Sequence, residues 1–230
     1  MREFIESSVF FGVMLSLAAY GIGAFLQKKF KLALFNPLLI SIILIIGFLT
    51  VTETDYNIYE EGAKYISYLL TPATVCLAIP LYEQIKLLKK HYKAILIGIC
   101  SGVVTSLCCI LSMSVLFNLK HAEYVTLLPK SITTAIGIGV SEELGGYTTL
   151  TVAVIIITGI LGNISASTAC KIFHINEPVA KGIAIGTASH AIGTVKAMEL
   201  GREEGAISGF SIAVAGLLTV AGASVFAQFL

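Results

Sequence analysis

IAIGTASHAIGT, residues 183–194, sets a single histidine among glycines and hydroxyls in a run with no other ionisable group. Gly186 and Gly193 bracket Thr187, Ser189 and His190, and Thr194 follows. Glycines at this spacing loosen a helix, and loosened backbone is tolerated at membrane depth only where protein or a watery cavity satisfies its polar groups. The stretch is therefore read as a broken or re-entrant element carrying an imidazole, and the class of the rest of the chain decides whether that reading stands.

The rest of the chain is apolar. Of 230 residues, 56% are hydrophobic and 13% are charged, with a mean hydropathy of +0.90; a soluble domain carries about 25% charged residues. Uncharged runs cover residues 7–27, 32–52, 65–82, 94–119, 144–170 and 206–230, each near or above the ~18–20 residues that a spanning helix needs. Residues 124–141 around Lys130 and 182–195 around His190 are interrupted by Gly, Pro, Ser and Thr and read as broken or re-entrant. The expected fold is an all-α polytopic membrane protein of seven or eight elements forming one membrane domain. No cleavable signal is expected, because the first apolar run is too long for one.

A net charge of +1 without basic–aromatic blocks argues against nucleic acid. The five cysteines fall in apolar runs without metal-ligand spacing, so they read as packing residues, and neither metal nor cofactor is called for. The basic stretches QKKFK (27–31) and KLLKKHYK (86–93), set against the acidic ETDYNIYEE (53–61), put the N-terminus outside by the positive-inside rule. A shift of 115 residues lays the hydropathy of about 1–119 over that of about 120–230. Such duplications are usual in secondary transporters, whose sites form where broken helices meet near the midplane.

Several segments carry groups suited to a small anion. Pro72 and Pro80 interrupt residues 68–82, where they force kinks beside Thr71 and Thr74. Lys130 is the sole charge between Glu123 and Glu142 and follows Pro129, so a helix start is expected there. An ammonium beside a helix N-terminus, with Ser131, Thr133 and Thr134 after it, suits a carboxylate. Asn163 is the lone amide of its run and reads as an interhelical hydrogen bond or a ligand. Glu142 and Glu143 end their segment before Gly145 and Gly146 and are candidates for cation or proton coupling. His190 can do what lysine cannot, because imidazole titrates near neutrality; it is a candidate for substrate contact or coupling, against the plainer reading of a packed, paired ring. Lys196 and Glu199, at i, i+3, read as a solvated helix end.

Four motifs in order, LLTPATVCLAIPLYEQ (69–84), LLPKSITT (127–134), IITGILG (156–162) and GTASHAIGT (186–194), resemble the LrgB/CidB family of antiholin-like membrane proteins. The resemblance runs from about Asn36 to the last apolar run. It implies a protein of the bacterial cytoplasmic membrane working beside a smaller LrgA/CidA-type partner and tied to control of murein hydrolase activity and cell lysis. It also implies a relation to plastid glycolate/glycerate carriers and to pyruvate movement. The sequence departs from the family pattern at Thr71, where glycine commonly precedes the proline, at Ala135, where proline is common, and at Glu143, where glutamine is common.

Residues and resemblance together point to a transporter of small monocarboxylates of the glycolate, glycerate, pyruvate or lactate type. The site would lie among Thr71, Pro72, Thr74, Lys130, Ser131, Thr133, Thr134, Asn163, Thr187, Ser189, His190 and Thr194. The rival is an antiholin-like regulator acting by assembly with a holin-like partner; homo-oligomers are compatible with either. An enzyme is not expected, since the sequence shows no catalytic motif of the Ser/Lys, HExxH or aspartyl-pair type.

Overall fold

The computed structural model describes residues 10–30, 35–69, 72, 75–76 and 78–230, all helix and connection with no strand among them. Contacts divide the chain into two units after Cys76.

In the first unit, α1 (Phe11–Phe30), α2 (Pro37–Thr52) and α3 (Tyr56–Ser67) pack together. Asn36 caps α2, its Oδ1 accepting from the amides of Leu38 at 2.9 Å and Leu39 at 3.2 Å, with Pro37 at the first helical position as caps prefer. Close approach on α1 is made by glycine: any side chain at Gly12 would collide with the backbone of Tyr59 and Ala63, and one at Gly23 with that of Pro37. Ser16 Oγ and Tyr59 Oη lie 2.8 Å apart across the same seam. The run expected over 65–82 is not one long helix: α3 ends at Ser67 and α4 spans Ala78–Glu83. Pro72 is exposed; Thr71 and Thr74 lie outside the described residues.

In the second unit, α5 (Ile85–Leu116) runs for 32 residues with a kink at His91. It buries Ile95, Ile99, Val103, Leu107 and Ile110, the 3–4 spacing of one helix face. Two long helices, α8 (Thr148–Ile172) and α10 (Arg202–Phe226), complete the frame. Helices α1, α5, α8 and α10 are each long and apolar enough to cross a membrane, and α2 is a shorter apolar helix.

Between these helices the chain makes two hairpins. The first is α6 (His121–Leu127), a turn, and α7 (Thr134–Glu143). Thr151 Oγ1 lies 2.7 Å from Ser141 Oγ and 3.1 Å from the Thr126 carbonyl, so the far end of α7 returns to the end of α6. Pro129 packs on Gly137. Pro129 thus sits in the turn, and the helix start expected at Lys130 is displaced to Thr134, with Thr133 as its N-cap.

The second hairpin is α9 (Pro178–Leu200), whose helix is interrupted at Ser189 (φ −135°, ψ 15°) and His190 (φ 40°, ψ −142°). A Cβ on Gly193 would stand 3.2 Å from the Ile185 side chain, whereas in a continuous helix residues eight apart are about 12 Å apart. The chain has reversed. Both ends of α9 consequently lie beside the first turns of α10: Gly182 against Glu204 and Ile207, and Met198 against Gly205. Gly201 alone joins α9 to α10, and Lys181 Nζ is 4.0 Å from Glu204 Oε1 at the same level.

Candidate functional site

The turn of the first hairpin and the reversal of the second meet against α5 around a recess of about 360 Å³. Lys130 and Ser131 come from the first hairpin, Thr187 and Ala188 from the second, and Ser101, Gly102, Thr105, Ser106 and Cys109 from α5. The α5 residues recur at i, i+3/4 and i+7, which puts them on one helix face.

Contact is close because a glycine permits it. A Cβ on Gly102 would stand 2.9 Å from Thr187 Oγ1, so the second hairpin can lie directly on α5. Two of the hydroxyls are turned onto their own helices: Ser101 Oγ donates to the Gly98 carbonyl at 2.9 Å and Thr187 Oγ1 to that of Ile183 at 2.8 Å. Lys130 Nζ donates to Ser131 Oγ at 3.0 Å, and Ser131 Oγ is a long 3.4 Å from Ser106 Oγ.

Among the described residues, ion pairs join Lys64–Glu61, Lys181–Glu204 and Lys196–Glu199, and Lys130 takes part in none of them. A half-buried ammonium without a carboxylate partner among the described residues, with the Ser131 hydroxyl within hydrogen-bond reach, favours an anion: it supplies charge-assisted hydrogen bonds that neutral donors cannot match.

The structure gathers Lys130, Ser131 and Thr187 at the recess and places other expected residues elsewhere. Thr133 and Thr134 start α7 without lining it. His190 is 3% exposed and its Nε2 lies 3.0 Å from the Ile155 carbonyl of α8. A carbonyl only accepts, so Nε2 carries the hydrogen. The ring packs on Gly159, where a Cβ would stand 2.8 Å from its Cε1. Ser189 fills the space left by Gly162. Asn163 Nδ2 donates to the Ile192 carbonyl at 2.7 Å, an interhelical hydrogen bond. Thr194 Oγ1 is 2.6 Å from Ser208 Oγ and donates to the His190 carbonyl at 3.0 Å. These groups brace the reversal from behind.

Glu142 and Glu143 are exposed at the end of α7, just before Gly145 at φ 78°. Lys196 and Glu199 form their i, i+3 pair at 2.7 Å. Ser101, Thr105 and Ser106 were not singled out from the sequence; the signal was a stripe of hydroxyls and glycine at helical spacing within an apolar run. Among the described residues no group of three or more His, Cys, Asp or Glu is placed to hold a metal.

The profile of the LrgB-like family matches residues 16–229. The chain is 35% identical over 224 residues to the antiholin-like protein LrgB of Bacillus subtilis strain 168, covering 97% of each chain. It is 36% identical over 222 residues to that of Bacillus cereus strain B4264, covering 96% of each, and equally to that of Bacillus anthracis strain CDC 684. No solved structure matches.

Proposed function

The chain belongs to the LrgB-like family, and from that premise we propose that it binds and carries small monocarboxylates across the bacterial cytoplasmic membrane, beside an LrgA/CidA-type partner. The observation that carries the reading is Lys130: one ammonium, without a carboxylate partner among the described residues, in a hydroxyl-lined recess where two chain reversals meet. The recess has room for an acid of the glycolate, glycerate, pyruvate or lactate size. Lys130 would hold the carboxylate, with Ser131 and Ser106 as hydroxyl donors. No bond is made or broken. Part of the same proposal is one membrane domain of seven or eight elements, with repeats of about 1–119 and 120–230. The long apolar helix closing each half, α5 and α10, supports it.

A second reading rests on the names of the relatives, which are antiholin-like proteins, and those names favour it over transport. On this reading the chain restrains murein hydrolase activity and lysis by assembling with a holin-like partner, and the recess is incidental.

Uptake of labelled glycolate, glycerate, pyruvate and lactate into proteoliposomes, with and without the partner, separates the two. Saturable uptake above that of empty vesicles supports the carrier. Uptake no faster than empty vesicles, together with a stable complex with the partner, supports the regulator.

A further inference from the structure

The two hairpins share sequence and contacts at a constant offset. TAIGIGVSEELG, residues 134–145, lies over HAIGTVKAMELG, residues 190–201, at a spacing of 56, with Ala, Ile, Gly, Glu, Leu and Gly identical at 135, 136, 137, 143, 144 and 145. The offset also carries a contact. Pro129 packs on Gly137, and its counterpart Ile185 packs on Gly193. It carries the recess as well, since Ser131 corresponds to Thr187 and both line it.

The halves are also inverted. Thr126 Oγ1 accepts from the Tyr147 amide at 2.8 Å, so the base of the first hairpin lies at the start of α8. The second hairpin follows the end of α8 and lies against the start of α10. The end of α10 returns to the first hairpin, where Tyr124 Oη donates to the Phe226 carbonyl at 2.9 Å. Helices α8 and α10 therefore run in opposite directions, and the hairpins enter from opposite ends. Their reversals meet part-way along α8, where Ile155 touches Gly137 of the first and bonds His190 of the second.

We propose that residues 121–226 form a two-sided gate: two re-entrant hairpins, inverted relative to one another, each reaching the shared recess from its own membrane face. In this arrangement Ser131 and Thr187 occupy equivalent positions, one on each hairpin. The inverted pair is nested within the second of the proposed repeats. Half of α9 is about 11 residues, or about 16 Å, close to half of the ~30 Å hydrocarbon core, so each hairpin can reach the midplane and return. Displacing one hairpin from α5 opens the recess to one face while the other hairpin keeps it closed to the opposite face. The gating part rests on the carrier reading; the re-entrant, inverted arrangement does not.

Two arms test it in the full chain with its five cysteines replaced by alanine. In the first, single cysteines at His121, Tyr147, Asn176 and Glu203 are labelled with a membrane-impermeant maleimide in right-side-out and inverted vesicles. The expected pattern is His121 and Tyr147 from one face and Asn176 and Glu203 from the other. Labelling within either pair from opposite faces would mean that the segment crosses, and would overturn the arrangement.

In the second arm, Gly98→Cys with Ile183→Cys ties the second hairpin to α5, where a Cβ on Gly98 would stand 3.2 Å from the Ile183 side chain. Oxidation is expected to cut carboxylate uptake at least tenfold, with recovery on reduction. Undiminished uptake with the crosslink formed would overturn the gate. Absence of saturable uptake in the parent would sink the carrier reading and the gate with it, and the labelling would still decide the arrangement.

Discussion

Lys130 and His190 are the ionisable groups at the two chain reversals, and the structure uses them differently. Lys130 lines the recess, where it can meet a solute. Lys130→Met keeps the stem and removes the charge, so carboxylate binding should weaken about 10- to 100-fold, the ~1.5–3 kcal/mol of a hydrogen bond to a charged group, while expression and detergent stability hold. Equal affinity in the variant, measured by competition for uptake, would remove Lys130 from the site. His190 instead holds φ 40° and ψ −142°, a region costing about 1–3 kcal/mol, with its ring bonded to α8. His190→Ala should therefore destabilise the protein by ~1–3 kcal/mol, through the lost bond and the space left beside Gly159. His190→Gln, whose amide can still donate to Ile155, should recover part of that loss and keep the parent's pH profile of uptake. A flattened profile in the Gln variant would show that the ring carries a proton in transport. That both residues sit at breaks in their segments was legible from their isolation in apolar sequence beside Pro129, Gly186 and Gly193. That one lines the recess and the other packs on α8 was not, because the groups that take the His190 ring, the Ile155 carbonyl and Gly159, lie about 30 residues away in sequence.

The hairpins show how much of an element's shape a local sequence can carry. Gly186, Ser189 and Gly193 signalled that the helix over 183–194 opens. What a break does next depends on neighbours: the same glycines would serve a kink in a crossing helix. Reversal is selected by Ile185 seating on Gly193, and by Gly182 and Gly186 letting α10 approach backbone to backbone. In the first hairpin, Pro129 has the sequence context of a helix start but occupies the turn, and the helix begins only where Thr133 turns extended. Gly137→Val and Gly193→Val should each cost about 1–3 kcal/mol by overpacking, seen as an earlier melting transition in detergent; an unchanged transition would show that these seats are not packed. On α5 the recess-facing hydroxyls were hidden for a different reason. Hydroxyls in apolar helices commonly bond back to carbonyls of the preceding turn, as Ser101 does, and so leave little mark on hydropathy.

Over the whole molecule, composition sufficed for class: a chain with 13% charged residues yields helices with apolar outer surfaces, and Leu217, Ile97 and Leu161 are among many large side chains left exposed on long helices. Such faces require lipid, so the protein should stay with the membrane pellet through an alkaline carbonate wash; release into the supernatant would contradict a spanning arrangement. Counting spans was less secure. Helix α2 has 16 residues, about 24 Å, short of the ~30 Å core, and hydropathy cannot tell a crossing from a segment that goes in and comes back. The base of the second hairpin adds a mechanical consequence. One helical limb is joined to α10 through the single residue Gly201, and the other lies with Lys181 4.0 Å from the largely buried Glu204. Because its tip is also bonded to α8, the hairpin can part from α5 by tilting about this base only if the His190–Ile155 and Asn163–Ile192 bonds move with it or release. Thr187 lies six residues, or about 9 Å, along the arm from Lys181, so a tilt of roughly 20° carries it some 3 Å from α5, enough to admit a water or a carboxylate oxygen. Loosening the Lys181–Glu204 fastening would then change how far the arm swings without touching the groups it carries.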